Sequence, residues 1–212
     1  MSETISFGLL CFTSLFTLIN PLGTMPVFMA MTSELTDDQR NKTAKKASVV
    51  ALFTIIAFAL TGQLLFNFFG ISVNSFRVVG GVIFFIMGMD MLQARLSQVK
   101  IKDNEVKSYI TDISITPLAI PMICGPGAIT SAIVLMEDAN TLPKQLALFL
   151  SIFLIIMLTY VILYSSSKLI KLLGQTGINV MMRIMGLIVM VIAVEFFFSG
   201  LKPIILDIIN SK

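Results

Sequence analysis

Two runs combine helix-breaking residues with small polar side chains inside otherwise apolar sequence. One is Asn20-Pro21-Leu22-Gly23-Thr24-Met25-Pro26, and the other is Pro121-Met122-Ile123-Cys124-Gly125-Pro126-Gly127, followed by Thr130. Proline has no amide donor and clashes with the preceding turn, while glycine tolerates backbone that other residues avoid. Pro21, Gly23 and Pro26, and then Pro121, Gly125, Pro126 and Gly127, are therefore expected to mark helix interruptions. The free amides that start the second half of an interrupted helix carry partial positive charge and suit a carboxylate. The unpaired carbonyls that end its first half suit an ammonium group or a cation. Together they fit a zwitterion, with Asn20, Thr24 and Thr130 able to add hydrogen bonds. A lone run of this kind is more often a packing kink, because proline and glycine are common in membrane helices. A matched pair favours a substrate-binding site.

Other chemistry is sparse. The chain has no histidine, which excludes histidine-based catalysis. Cys11 and Cys124 both lie in hydrophobic segments, so neither a disulfide framework nor a metal site is expected, and Cys124 has no base beside it. An enzyme is disfavoured and no cofactor is expected. No Gly-x-x-x-x-Gly-Lys-Ser/Thr run is present, so any transport would draw on an ion or solute gradient. Asp90 and Glu195 sit in apolar sequence and are candidates for coupling to a proton or sodium ion. Each falls about 18–20 Å along its helix from Arg77 or Arg183, nearer a membrane face than the midplane, where a solvated or backbone-paired carboxylate is equally expected. Arg77 and Arg183 read as boundary residues that snorkel.

The elements that must hold these residues are membrane helices. The chain of 212 residues is 56% hydrophobic and 13% charged, with mean hydropathy +0.93, too little polar surface for a water-soluble domain. Apolar runs at roughly 5–32, 48–70, 74–94, 113–136, 146–165 and 180–200 predict an all-α membrane protein with six spans. The stretch Met1-Ser2-Glu3-Thr4 carries no positive charge, so the first run is expected to stay as a span rather than be removed as a signal. Thr36-Asp37-Asp38-Gln39 reads as a capping box that starts a helix running into the second span.

The net charge of +3 comes from Lys and Arg flanking the apolar runs rather than from a patch, which argues against a nucleic-acid partner. Alternating the loops puts Arg40, Lys42, Lys45, Lys46, Arg95, Lys100, Lys102, Lys107, Lys168, Lys171 and Arg183 on one side. By the positive-inside rule both termini then face away from the cytoplasm.

A repeat is legible in the spacing. Arg77-Val78-Val79-Gly80 and Arg183-Ile184-Met185-Gly186 stand at nearly the same distance after Pro21 and Pro126, with Asp90 and Glu195 late in the two spans they open. Short apolar patterns also recur by chance, and pairing Pro21-Leu22 with Pro117-Leu118 would shift the frame. Taken as a repeat, residues 1–98 and 113–212 are two three-span units joined by a polar linker, 99–112, in one integral membrane domain. An odd number of spans inverts the second unit relative to the first, as in secondary transporters. The first and fourth segments, each about 28 residues, would be about 42 Å long as straight helices against a hydrocarbon core of about 30 Å, so both are expected to be discontinuous.

The segments INPLGTMPVFMAMT and PLAIPMICGPGAIT, with RVVGGVIFFIMGMDML between them, resemble the MarC family of bacterial inner-membrane proteins, from about Ile5 to about Leu201. The resemblance implies a six-span protein similar to transporters of small neutral amino acids, glycine and alanine. It places the family motif on Asn20, Pro21, Gly23 and Pro26, and on Pro117, Pro121, Gly125, Pro126 and Gly127. An apolar drug would gain little from a carboxylate-binding helix end, so efflux of drugs is not expected. A non-transporting scaffold or partner subunit, or a channel, is the alternative.

Overall fold

Residues 3–93 and 106–210, the part of the chain that the computed structural model describes, are almost entirely helical. The elements are α1 (Glu3–Ile19), α2 (Pro21–Met31), α3 (Asp37–Phe69), α4 (Val73–Leu92), α5 (Val106–Ile113), an irregular segment Ser114–Ile123, α6 (Pro126–Asp138) and α7 (Leu142–Asn210). Helix α7 is two arms, Leu142–Ser166 and Thr176–Asn210. Gly174 separates them at φ 59° and ψ −179°, a conformation essentially confined to glycine.

Five stretches are long and apolar enough to span a membrane, and the bent pair Ile110–Ile123 and Pro126–Asp138 makes a sixth if counted as one span. The protein is thus an all-helical, multi-pass membrane protein. Residues 99–105 of the expected linker lie outside the described residues, as do Arg95, Lys100, Lys102 and Lys212. Within the expected linker, helix α5 starts at Val106.

The capping box sets the start of α3. The Gln39 amide donates to Thr36 Oγ1 at 3.4 Å, and the Thr36 amide donates back to Gln39 Oε1 at 2.9 Å. Beside it, Arg40 is 4% exposed and closes the turn after α2. Its guanidinium donates to the carbonyls of Thr32 and Leu35, both at 2.9 Å, and pairs with Asp37 at 2.8 Å.

Contacts across the bundle fix its two ends. Lys144 pairs with Glu3 at 2.5 Å, and Gly200 lies against the Asn74 carbonyl and the Arg77 stem. The starts of α1 and α4 and the last turns of α7 therefore share one end. At the other, Lys46 Nζ donates to Thr111 Oγ1 at 2.9 Å, beside the α2–α3 turn.

Between the ends, α3 presents Ala44, Ala47, Ala51 and Ala59 as a buried stripe of small residues. In lipid no hydrophobic force drives helices together, so close backbone approach supplies the packing. Glycines serve the same purpose between α4 and α7: a Cβ on Gly81 would sit 2.8 Å from the Ala193 carbonyl, and one on Gly88 2.9 Å from that of Gly186. Large side chains such as Phe53, Leu64, Phe68 and Val191 point outward, where the surrounding solvent is hydrocarbon.

Candidate binding site at the helix interruptions

Helix α1 ends at Ile19 and α2 begins at Pro21, with Asn20 between them at φ 45° and ψ 66°. Asn20 is the one non-glycine among the described residues with positive φ. Asparagine tolerates this left-handed geometry because its short amide bonds locally. Here Asn20 Oδ1 accepts from the Gly23 amide at 3.1 Å, while the Asn20 carbonyl accepts from the amides of Gly23 and Thr24 at 2.9 and 3.1 Å. The hitch is one residue long, and α1 and α2 together still make a single span, Glu3–Met31.

Gly23 is small for a local reason. A Cβ there would fall 2.4 Å from Asn20 Nδ2, so glycine makes room for the amide that caps α2. Thr24 is buried and donates back to the Asn20 carbonyl at 3.3 Å. Pro26 marks no interruption. It lies inside continuous, buried α2, whose helical backbone accommodates its fixed φ.

The second interruption is longer. Thr116 (φ −126°, ψ 123°) and Ile120 (φ −130°, ψ 122°) are extended within Ser114–Ile123, and each immediately precedes a proline, Pro117 or Pro121. The proline ring excludes helical geometry from the residue before it, which accounts for both. Cys124 and Gly125 are also non-helical, and α6 restarts at Pro126 after a 59° bend. No side chain caps α6, so the amides of Gly127 and Ala128 start that helix without the partner that Asn20 gives to α2.

Helix α4 is seated on this second interruption. A Cβ on Gly80 would meet Pro126 at 2.3 Å, and one on Gly125 would meet the Phe84 ring at 2.2 Å. On its other side Gly127 faces Leu18, whose Cδ2 would lie 3.0 Å from an added Cβ, and beyond it Phe196 at 3.4 Å.

Two chambers result. The first is a narrow cavity of about 40 Å³, with Asn20, Gly23 and Thr24 on one wall and Phe84, Met87 and Met122 among its apolar residues. The second, about 400 Å³, is lined by Ser14, Arg77, Gly127, Thr130, Ser131 and Ser199, together with apolar side chains. Leu18 lines both. The residues of the first interruption thus lie on one side of a single leucine, and Gly127 and Thr130 lie on the other. Pro21 and Pro126 are buried in the backbone that carries these walls.

The candidate carboxylates stand apart. Asp90 is half-buried near the end of α4 and Glu195 is exposed on α7, and neither lines either chamber. Arg77, read from the sequence as a snorkelling boundary residue, lines the second chamber instead, whereas Arg183 is exposed. The two Arg-x-x-Gly marks are also used differently: Gly80 packs on Pro126, Gly186 on Gly88 and Leu92. The only sequence signal for Arg77 was the motif itself, which fixes the spacing of the glycine but not the direction of the arginine.

Comparison with known proteins agrees with this architecture. The profile of MarC family integral membrane proteins matches residues 5–205. A UPF0056 membrane protein of Pyrococcus horikoshii is 40% identical over 95% of this chain and 98% of its own length. One of Aquifex aeolicus is 36% identical, covering 94% of this chain and 95% of its own. The UPF0056 membrane protein YvbG of Bacillus subtilis is also 36% identical, over 93% and 95%. No solved structure matches.

Proposed function

The chain belongs to the MarC family of integral membrane proteins, and on that footing we propose that it is a secondary transporter of small neutral amino acids, the glycine and alanine class. The observation that carries this reading is the position of Leu18. One side chain divides a chamber lined by the first interruption from a chamber lined by the second. A small zwitterion in the first chamber would find the Asn20 amide among apolar walls. In the second it would find hydroxyl groups beside the uncapped start of α6, whose partial positive charge suits a carboxylate.

In this reading residues 1–98 and 113–212 are inverted repeats whose first helices are discontinuous, and access alternates as one repeat rocks against the other. The gradient of a proton or sodium ion drives the cycle, with Asp90 and Glu195 as the candidate carboxylates. The protein sits in a bacterial inner membrane with both termini outside the cytoplasm. The described ends, Glu3 and Asn210, share one end of the bundle, and Arg40, Lys42, Lys45 and Lys46 lie toward the other, which supports that orientation.

Uptake of labelled glycine and alanine into proteoliposomes, under imposed proton and sodium gradients, tests the proposal. Uptake is expected from the wild type and is expected to fall in Asn20→Ala. Folded protein that moves neither amino acid under any gradient would refute it. Asp90→Asn and Glu195→Gln, assayed under the same gradients, test the coupling roles separately.

A further inference from the structure

We propose that Arg77 is the receiving site for the carboxylate of the carried solute, in the second chamber, before the solute passes Leu18. The inference rests on the transport reading above and adds a residue and an order of events to it.

Arg77 is the fifth residue of α4, and its stem packs against Gly200, where a Cβ would lie 2.8 Å from Arg77 Cβ. That contact holds the side chain at the end of the bundle shared by Glu3 and Asn210, on the chamber that also contains Gly127 and Thr130. Arg77 as a residue is half-buried, and no carboxylate among the described residues pairs with it. A cation in that position needs an anion or water, and a planar fork of donors matches a carboxylate two-to-two.

The rest of the chamber complements the other end of a zwitterion. Ser199 gives its proton to the Phe196 carbonyl at 2.8 Å, while Thr130, near the α6 start that suits the carboxylate, gives its own to the Gly127 carbonyl at 3.1 Å. The Ser199 hydroxyl oxygen therefore keeps lone pairs for an ammonium group. Ser14 and Ser131 add two more hydroxyls. The chamber so recognises a carboxylate and an ammonium a short distance apart, and a plain amine would lose the arginine contact.

The test is glycine uptake into proteoliposomes by the wild type, Arg77→Lys and Arg77→Gln, with glycinamide as the competitor that lacks the carboxylate. Arg77→Gln is expected to raise KM about tenfold or more, with a smaller change in kcat, and to lose most of the preference for glycine over glycinamide. Arg77→Lys keeps the charge but not the fork and is expected to fall between them. Wild-type KM and preference in Arg77→Gln would overturn the proposal while leaving transport standing. Absence of uptake by the wild type would overturn the transport reading and this proposal with it.

A second measurement leaves Arg77 intact. In Ser131→Cys, labelling by a membrane-impermeant thiol reagent is expected to be slowed by glycine and not by glycinamide, with the buried Cys11 and Cys124 as the unlabelled background. Equal protection by the two compounds, or by neither, would overturn the assignment.

Discussion

Replacing Asn20 with alanine, and separately with glycine, separates the two tasks of this residue. Its backbone holds φ 45°, and its side chain caps α2 through the Gly23 amide. Alanine loses the cap, about 1 kcal/mol, and must also hold left-handed geometry without local bonding, roughly another 1 kcal/mol. Glycine loses the cap too but adopts the backbone freely, so its net cost is only about a few tenths of a kcal/mol. For a chain of this size about 1 kcal/mol moves the unfolding midpoint by about 2–4 °C. Asn20→Ala is therefore expected to melt about 4–8 °C below the wild type and Asn20→Gly within about 2 °C of it. A fluorogenic maleimide in detergent reads the transition, because Cys11 and Cys124 are 0% and 1% exposed in the folded protein. Equal midpoints for the two variants would refute the claim that the left-handed backbone sets the cost. Both variants lack the amide in the first chamber, so both are expected to lose glycine uptake despite their different stabilities.

Arg40→Ala leaves the Leu35 carbonyl without its guanidinium donor and takes from the Thr32 carbonyl one of its two, the Leu35 amide remaining, and is expected to cost about 2–3 kcal/mol in the same thermal assay, with Arg40→Lys recovering only part. Gly125→Ala drives a methyl group into the Phe84 ring and is expected to destabilise by about 1–3 kcal/mol. Adding Phe84→Leu should return part of that loss, seen as a coupling above about 0.5 kcal/mol in a double-mutant cycle. Leu18→Ala is expected to join the two chambers, so that preloaded glycine leaks from proteoliposomes without an ion gradient. Leu18→Trp should lower uptake, and an unchanged passive efflux rate in Leu18→Ala would count against the partition.

What was legible in the sequence is what depends on local physics. Apolar runs of spanning length mark membrane segments, and the Thr36–Gln39 box starts α3 because its two hydrogen bonds involve neighbours only. The proline and glycine runs flag the neighbourhoods of Asn20 and Gly125 but not their extents. Pro26 leaves α2 continuous, since a helix bears one missing donor when its packing holds, whereas Pro117 and Pro121 each push the preceding residue out of helix. The purpose of Gly23 was hidden because its neighbour is a side chain folded back from Asn20, and no spacing rule records a rotamer. The inward turn of Arg77 was hidden because a helix position near a membrane face permits both snorkelling and burial. The packing of Gly200 against its stem, which selects between them, joins residues far apart in the chain.

The alanine stripe of α3 bears on which parts of the protein can move. Alanine has no rotamers, so a surface built from Ala44, Ala47, Ala51 and Ala59 cannot yield by rearranging side chains. Two groups sit against it: Cys124 Sγ donates to the Ala51 carbonyl at 3.1 Å, and Ile133 fills the space above Gly62. Such a seam behaves as two rigid plates that stay in register or separate outright. In the proposed cycle this seam, between α3 and the chain around the second interruption, is therefore a surface that parts as a whole rather than one that deforms, whereas the larger side chains around Leu18 can reorient.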